Sequence, residues 1–229
     1  MAHTKYSLKQ IAKTIDHSLL KPEMTRDEVK VGCEIAKKYD VASVCCKPAD
    51  VKFCADLLKG TDVEIGTVVG FPHGSSTTQT KVFETKQAIV DGATEIDVVL
   101  NIGLLKSGLH KEVQDDIAAV VNAASGKAVK VILENAYLTE SEKVTACKLT
   151  EAAGADYVKT STGYAPTGAT IADIKLMRSS VSPKMKIKSA GGVRTLDVLM
   201  EYLDAGISRS GATTTSIMLD EYVERFGRD

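Results

Sequence analysis

The chain has 229 residues, of which 44% are hydrophobic and 26% charged, and its 29 Lys+Arg nearly cancel its 30 Asp+Glu. That balance gives no global field to favour nucleic acid or an anionic membrane, and leaves room only for a local basic pocket suited to a small anion. The length is enough for a full hydrophobic core.

In chain order, short β-rich runs alternate with stretches of helical composition. The N-terminal MAHTKYSLKQIAK has no apolar h-region, so no signal peptide is expected, and a short helix is predicted ahead of the first strand. Strands are predicted near TIDHSLL (14–20), VASVCCKP (41–48), EIGTVVGFP (64–72) and EIDVVLN (95–101). They continue at VKVILEN (129–135), DYVKTSTG (156–163), KIKSAGG (186–192) and ISRSGAT (207–213). Amphipathic helices are predicted over 26–39, 77–92, 109–125, 139–154 and 195–206. Thr139 with Glu142 forms a capping-box signature, and Gly92, Gly154 and Gly206 stand where helices would stop. From about residue 221 the chain reads as a tail.

Eight β-then-helix units imply parallel strands with crossover helices, and eight is the number that closes a (β/α)8 TIM barrel. A doubly wound open sheet is the alternative. It usually carries a glycine-rich turn after its first strand, and the turn LLKPEMT (19–25) has no glycine. No linker or low-complexity tract divides 1–229, so a single domain is expected. The cysteines, Cys33, Cys45, Cys46, Cys54 and Cys147, are odd in number and two are adjacent. A disulfide framework is not expected, and a cytoplasmic location is. Neither they nor the four scattered histidines have zinc-site spacing, so no metal and no cofactor is expected. No run approaches a membrane span.

In a TIM barrel the chemistry lies at the C-terminal ends of the strands. Alternation in EIDVVLN puts Ile96, Val98 and Leu100 on one face and Asp97, Val99 and Asn101 on the other, so Asp97 points into the barrel. The same alternation groups Tyr157, Lys159 and Ser161, and groups Lys186 with Lys188. Lys159 and Lys188 then stand at equivalent heights on neighbouring strands. A free lysine is protonated at neutral pH and cannot attack a carbonyl. Burial and a second cation both lower its pKa, which makes Lys159 a candidate Schiff-base nucleophile with Asp97 as a proton carrier. The alternatives stay open at this level. Lys159 and Asp97 could be a core ion pair, and Lys188, following Lys184 and Lys186, could belong to a solvated charge run.

AGGVR (190–194) and SGATTTS (210–216) close strands seven and eight with glycines, where barrels often bind phosphate through backbone N–H groups. A phosphorylated carbonyl substrate is therefore expected. Cys45 and Cys46 read first as packing, and Asp16 as a strand-end cap or a hydroxyl-binding carboxylate.

Taken together, TIDHSLL, SVCCKP, GTVVGFPHG, EIDVVLNIG, YVKTSTGY and IKSAGGVRT, in this order, resemble the deoxyribose-phosphate aldolase family from about residue 11 to about residue 220. The resemblance implies a metal-independent class I aldolase that cleaves 2-deoxy-D-ribose 5-phosphate to D-glyceraldehyde 3-phosphate and acetaldehyde, and suggests a homodimer. By motif, it implies Lys159 as the Schiff-base residue, Asp97 in proton transfer, and Lys188 as the group that perturbs Lys159. It implies Asp16 and Cys45 on the substrate site, with Thr162, Gly163, Gly191, Gly192, Gly211, Thr213 and Thr214 holding the substrate and its phosphate. Three features depart from the pattern. Thr213-Thr214 replaces a frequent Ser-Ser, Tyr164 follows TSTG where some members have lysine, and the chain ends ERFGRD with Tyr222 as its last tyrosine. Some members end in a tyrosine that assists proton transfer, so slower exchange of acetaldehyde methyl protons with solvent is expected here. Two rivals remain: another Schiff-base sugar-phosphate aldolase or transaldolase-like enzyme, and a barrel that binds a phosphorylated ligand without covalent chemistry.

Overall fold

The computed structural model describes residues 4–228. Eight parallel strands close into a barrel in sequence order, β1 pairing with β8. They are β1 Ile15–Leu19, β2 Ser43–Cys46, β3 Glu64–Val69, β4 Glu95–Val99, β5 Ala128–Ile132, β6 Tyr157–Lys159, β7 Lys186–Ala190 and β8 Arg209–Ala212. The open doubly wound sheet is thereby excluded.

The helices are α1 Leu8–Ala12, α2 Arg26–Lys38, α3 Val51–Leu57, α4 Thr78–Val90, α5 Ile102–Lys106, α6 His110–Ala123, α7 Glu140–Ala152, α8 Ile171–Ser180, α9 Leu196–Asp204 and α10 Thr215–Phe226. Local chemistry sets their ends. Thr139 accepts from Glu142 N–H and receives the Glu142 side chain on its own N–H, a complete capping box, and Thr25 with Glu28 repeats it ahead of α2. Gly92, Gly154 and Gly206 end α4, α7 and α9 with φ of 109°, 82° and 104°, a region open to glycine at little cost.

Strand alternation sorts the barrel. Ile96, Val98 and Leu100 join the apolar core between strands and helices, while Asp97 on the opposite face is wholly buried inside the barrel. The stretch from about 221 is not a tail. Thr215–Phe226 is one continuous helix because Met218, Leu219 and Tyr222 recur at helical spacing and bury one face. The Tyr222 hydroxyl donates to the Tyr6 carbonyl at 2.7 Å, which ties this helix to the segment before α1.

Candidate active site

The barrel interior holds a knot of charge instead of an apolar plug. Four cations, Lys130 (β5), Lys159 (β6), Lys188 (β7) and Arg209 (β8), meet three carboxylates, Asp16 (β1), Glu95 and Asp97 (β4). Strand register brings them together. Lys159 is paired with Lys188 across β6 and β7, Asp97 with Lys130 across β4 and β5, and Lys188 with Arg209 across β7 and β8. Lys159 and Lys188 both donate to Asp97 Oδ2, at 2.6 and 2.7 Å. Lys188 also contacts Asp16. Lys130 donates to Glu95 at 2.6 Å and lies 3.3 Å from Asp97. Arg209 donates to Asp16 at 2.6 Å and to Glu95 at 2.8 Å.

Buried charges persist only when paired, and four against three leaves one cation over. The pairing identifies it. Burial pushes the Lys188 amine down, but Asp16 and Asp97 outweigh burial and hold it above its ordinary value. Lys130, opposed by burial and held by Asp16, Asp97 and Glu95, is also raised, as is Arg209. Lys159 alone goes the other way. Burial lowers it, the single carboxylate Asp97 is not enough to compensate, and Lys188 lowers it further. Burial also opposes ionisation of Asp97 and Asp16, yet the surrounding cations keep both carboxyls well below the usual range. Lys159 is thus the amine that gives up its proton most readily, and once it does so three cations face three carboxylates.

Above the knot a cavity of about 510 Å³ opens at the C-terminal ends of the strands. Lys159, Lys188, Asp16 and Cys45 line its floor, and Thr162 and Gly163 one wall. Gly191, Gly192, Gly211 and Thr213 line the side formed by the ends of β7 and β8. Gly163, Gly191 and Gly192 have φ of 91°, 78° and 85°. A Cβ on Gly211 would make only ordinary contacts, 3.4 Å to Ala190 Cβ and 3.8 Å to Lys188 Cε. Asp97 is just below the cavity, reached through the two lysines. Thr214 is elsewhere: its hydroxyl donates to the Arg194 carbonyl at 3.0 Å, joining the loop after β8 to the loop after β7. Burial pushes the Cys45 thiol up to about 11, which leaves a neutral thiol on the floor.

Two readings from the sequence are corrected here. Lys188 does not belong to a solvated charge run, for Lys186 at the strand's start is exposed whereas Lys188 is wholly buried. Asp16 does not cap a strand end but accepts ion pairs inside the barrel. The sequence reading also passed over Lys130, Arg209 and Glu95, and over Arg194 and Lys21 on the cavity wall. Alternation in VKVILEN carries the signal for Lys130, and Arg194 is in the AGGVR motif itself. Tyr164 stands at the mouth, its hydroxyl donating to the Leu20 carbonyl at 2.8 Å and its ring edge-on to Phe71. Tyr222 is not on the cavity wall.

A lysine with a lowered pKa at a barrel mouth, with a carboxylate within reach and a cation beside it, is an arrangement able to handle a carbonyl group on a TIM barrel. Comparison with known proteins gives the family. The profile of the DeoC/LacD family aldolases matches residues 10–223. A deoxyribose-phosphate aldolase of Staphylococcus epidermidis is 52% identical over 202 residues, 88% of this chain and 92% of its own. One of Bacillus mycoides is 53% identical over 213 residues, 92% and 96% respectively. Among solved structures, a tetrameric deoxyribose phosphate aldolase of Aeropyrum pernix superposes with a TM-score of 0.88 at 28% identity, covering 94% of this chain and 92% of the other. The chain belongs to the DeoC/LacD family of aldolases.

Proposed function

We propose that this protein is a class I deoxyribose-phosphate aldolase, one barrel domain that cleaves 2-deoxy-D-ribose 5-phosphate to D-glyceraldehyde 3-phosphate and acetaldehyde and catalyses the reverse. The observation that carries the reading is the opposite behaviour of two adjacent lysines on one carboxylate oxygen: Lys159 is lowered and Lys188 raised. Relatives of that name at about half identity over most of the chain support the substrate.

In this reading the neutral Lys159 amine adds to C1 of the open-chain sugar, and loss of water gives an iminium. Loss of the C3 hydroxyl proton then breaks the C2–C3 bond. The bond's electron pair moves to the iminium, leaving an enamine on Lys159 and releasing glyceraldehyde 3-phosphate. Protonation at C2 and addition of water release acetaldehyde and restore the amine. Asp97 and Lys188 relay these protons, and Lys188, which regains its charge between steps, keeps Lys159 neutral. Gly163, Gly191, Gly192 and Gly211 offer backbone N–H groups to the phosphate, with Arg194 and Lys21 supplying charge.

The test is borohydride reduction with 2-deoxyribose 5-phosphate followed by peptide mapping. An adduct confined to the peptide bearing Lys159 is the expected result. Binding without any adduct would transfer the protein to the non-covalent class. An adduct that forms with ketose donors and not with acetaldehyde would make it a transaldolase-like enzyme.

A cytoplasmic homodimer completes the proposal. Among the described residues no helix is long and apolar enough to cross a membrane. Phe83 and Val90, seven residues apart on α4, are 69% and 79% exposed and supply apolar surface for self-association. Light scattering on the eluted protein distinguishes a dimer from the tetramer of the Aeropyrum relative.

A further inference from the structure

One buried carboxylate lies outside the charge knot and outside the mechanism. Glu134, two residues beyond the end of β5, is 2% exposed. Its backbone is left-handed, with φ 56° and ψ 63°. A residue with a Cβ pays for that conformation and keeps it only where its surroundings fix it. Its neighbours do so: Leu133 N–H donates to the Lys159 carbonyl at 2.9 Å, and Asn135 N–H to the Thr160 carbonyl at 3.0 Å. Glu134 is thus locked against the strand end that carries the nucleophile.

The side chain reaches Thr162. Thr162 N–H donates to the two carboxylate oxygens at 3.2 and 3.4 Å, and the Thr162 hydroxyl donates to Oε2. The same hydroxyl oxygen accepts Tyr164 N–H at 3.0 Å. One carboxylate therefore fixes the backbone on both sides of Gly163, whose φ is 91°. With its proton committed to Glu134, the Thr162 hydroxyl is not a free donor for an anion. The wall must meet a phosphate through its backbone, and Glu134 sets that backbone. Hydrogen bonds to an ionised acceptor are roughly twice as strong as neutral ones, which suits a carboxylate to this task.

We propose that Glu134 is a positioning residue for the reaction, holding the Thr162–Gly163 wall in the shape that receives the phosphate end of the substrate while leaving the amine chemistry of Lys159 untouched. The proposal rests on the aldolase reading above. The experiment compares Glu134→Ala and Glu134→Gln with wild type in cleavage of 2-deoxyribose 5-phosphate and of unphosphorylated 2-deoxyribose. In Glu134→Ala, KM for the phosphorylated sugar should rise about tenfold or more with kcat little changed. kcat/KM for the unphosphorylated sugar should stay within about threefold, and the pH profile of borohydride trapping with acetaldehyde should stay that of wild type. Glu134→Gln, which keeps one acceptor, should recover most of the loss. If Glu134→Ala does not fold, Glu134→Asp, which draws the carboxylate back from Thr162 by one carbon, serves in its place and should show the same selective rise in KM at smaller size. Equal losses on both sugars, or a lowered Tm with unchanged KM, overturn the proposal and make Glu134 a residue of the fold alone. A wild-type protein inert toward both sugars overturns the aldolase reading, and this proposal with it.

Discussion

Lys159 and Lys188 stand in register on adjacent strands, and both donate to the same oxygen of Asp97, yet only Lys188 has a second carboxylate, Asp16, at its amine. That asymmetry separates the two amines, lowering the pKa of Lys159 and raising that of Lys188. It predicts the behaviour of Lys188→Leu. Without that cation Asp97 Oδ2 serves Lys159 alone, with Lys130 on Oδ1, and the Lys159 pKa rises. Each unit of rise removes about tenfold of the free amine at neutral pH. The acid limb of borohydride trapping with acetaldehyde should therefore move to higher pH, with slower trapping at pH 7. An unmoved limb would remove Lys188 from this role.

Lys159→Leu should reduce turnover to background while the barrel stays folded. The charge count gives the reason: the lost group is the cation in excess, the one whose pKa is lowered, so three cations still face three carboxylates. Thermal melting should show a Tm at or above that of wild type, and no adduct should appear on another lysine. An adduct elsewhere would sink the assignment of the nucleophile.

The legible parts of this protein are those written in period and order. Eight repeats gave the barrel, and alternation in EIDVVLN turned Asp97 inward, where it lies. Alternation also set Lys159 level with Lys188, as the register confirms. What stayed hidden was pairing between distant strands. Lys130 reaches Asp16, Glu95 and Asp97, which lie 114, 35 and 33 positions earlier in sequence, and nothing local to VKVILEN announces those partners. Glu134 was hidden for a related reason, because its left-handed backbone breaks the strand alternation by which it would be read. The mistaken tail from about 221 came from a short polar ending, whereas Tyr222 is buried against the other end of the chain.

Lys130→Met gives the counterpart to Lys159→Leu. It removes a cation that contacts three buried carboxylates, and the remaining groups cannot balance unless Lys159 takes up a proton. Breaking a buried ion pair from one side costs about 3–5 kcal/mol. Chemical denaturation should show a loss of that order, and trapping at Lys159 should slow at neutral pH. A loss below about 1 kcal/mol would mean that the interior tolerates unpaired carboxylates, contrary to the charge argument.

His17 should make the fold sensitive to mild acid. It lies on the outer face of β1, with Nδ1 2.8 Å from the hydroxyl of Thr215 at the start of α10. Burial lowers its pKa to about 4, whereas in the unfolded chain it titrates near its ordinary value of about 6.5. Between those values the unfolded chain binds a proton that the folded protein does not. Stability is therefore complete above about pH 6.5 and falls as pH drops toward 4, by roughly 3 kcal/mol at most. Asp16 and Asp97, held low by their cations, contribute stability above their unfolded value near 3.9 and lose it only at more acid pH, so the two windows separate. Denaturation of wild type and His17→Asn between pH 6.5 and 4.5 should give a falling curve for the first and a nearly flat one for the second. The Asn side chain can hydrogen-bond the Thr215 hydroxyl as donor or acceptor, so the contact to α10 is kept and only the titration is removed. Parallel curves would show that another group carries the acid sensitivity in that window.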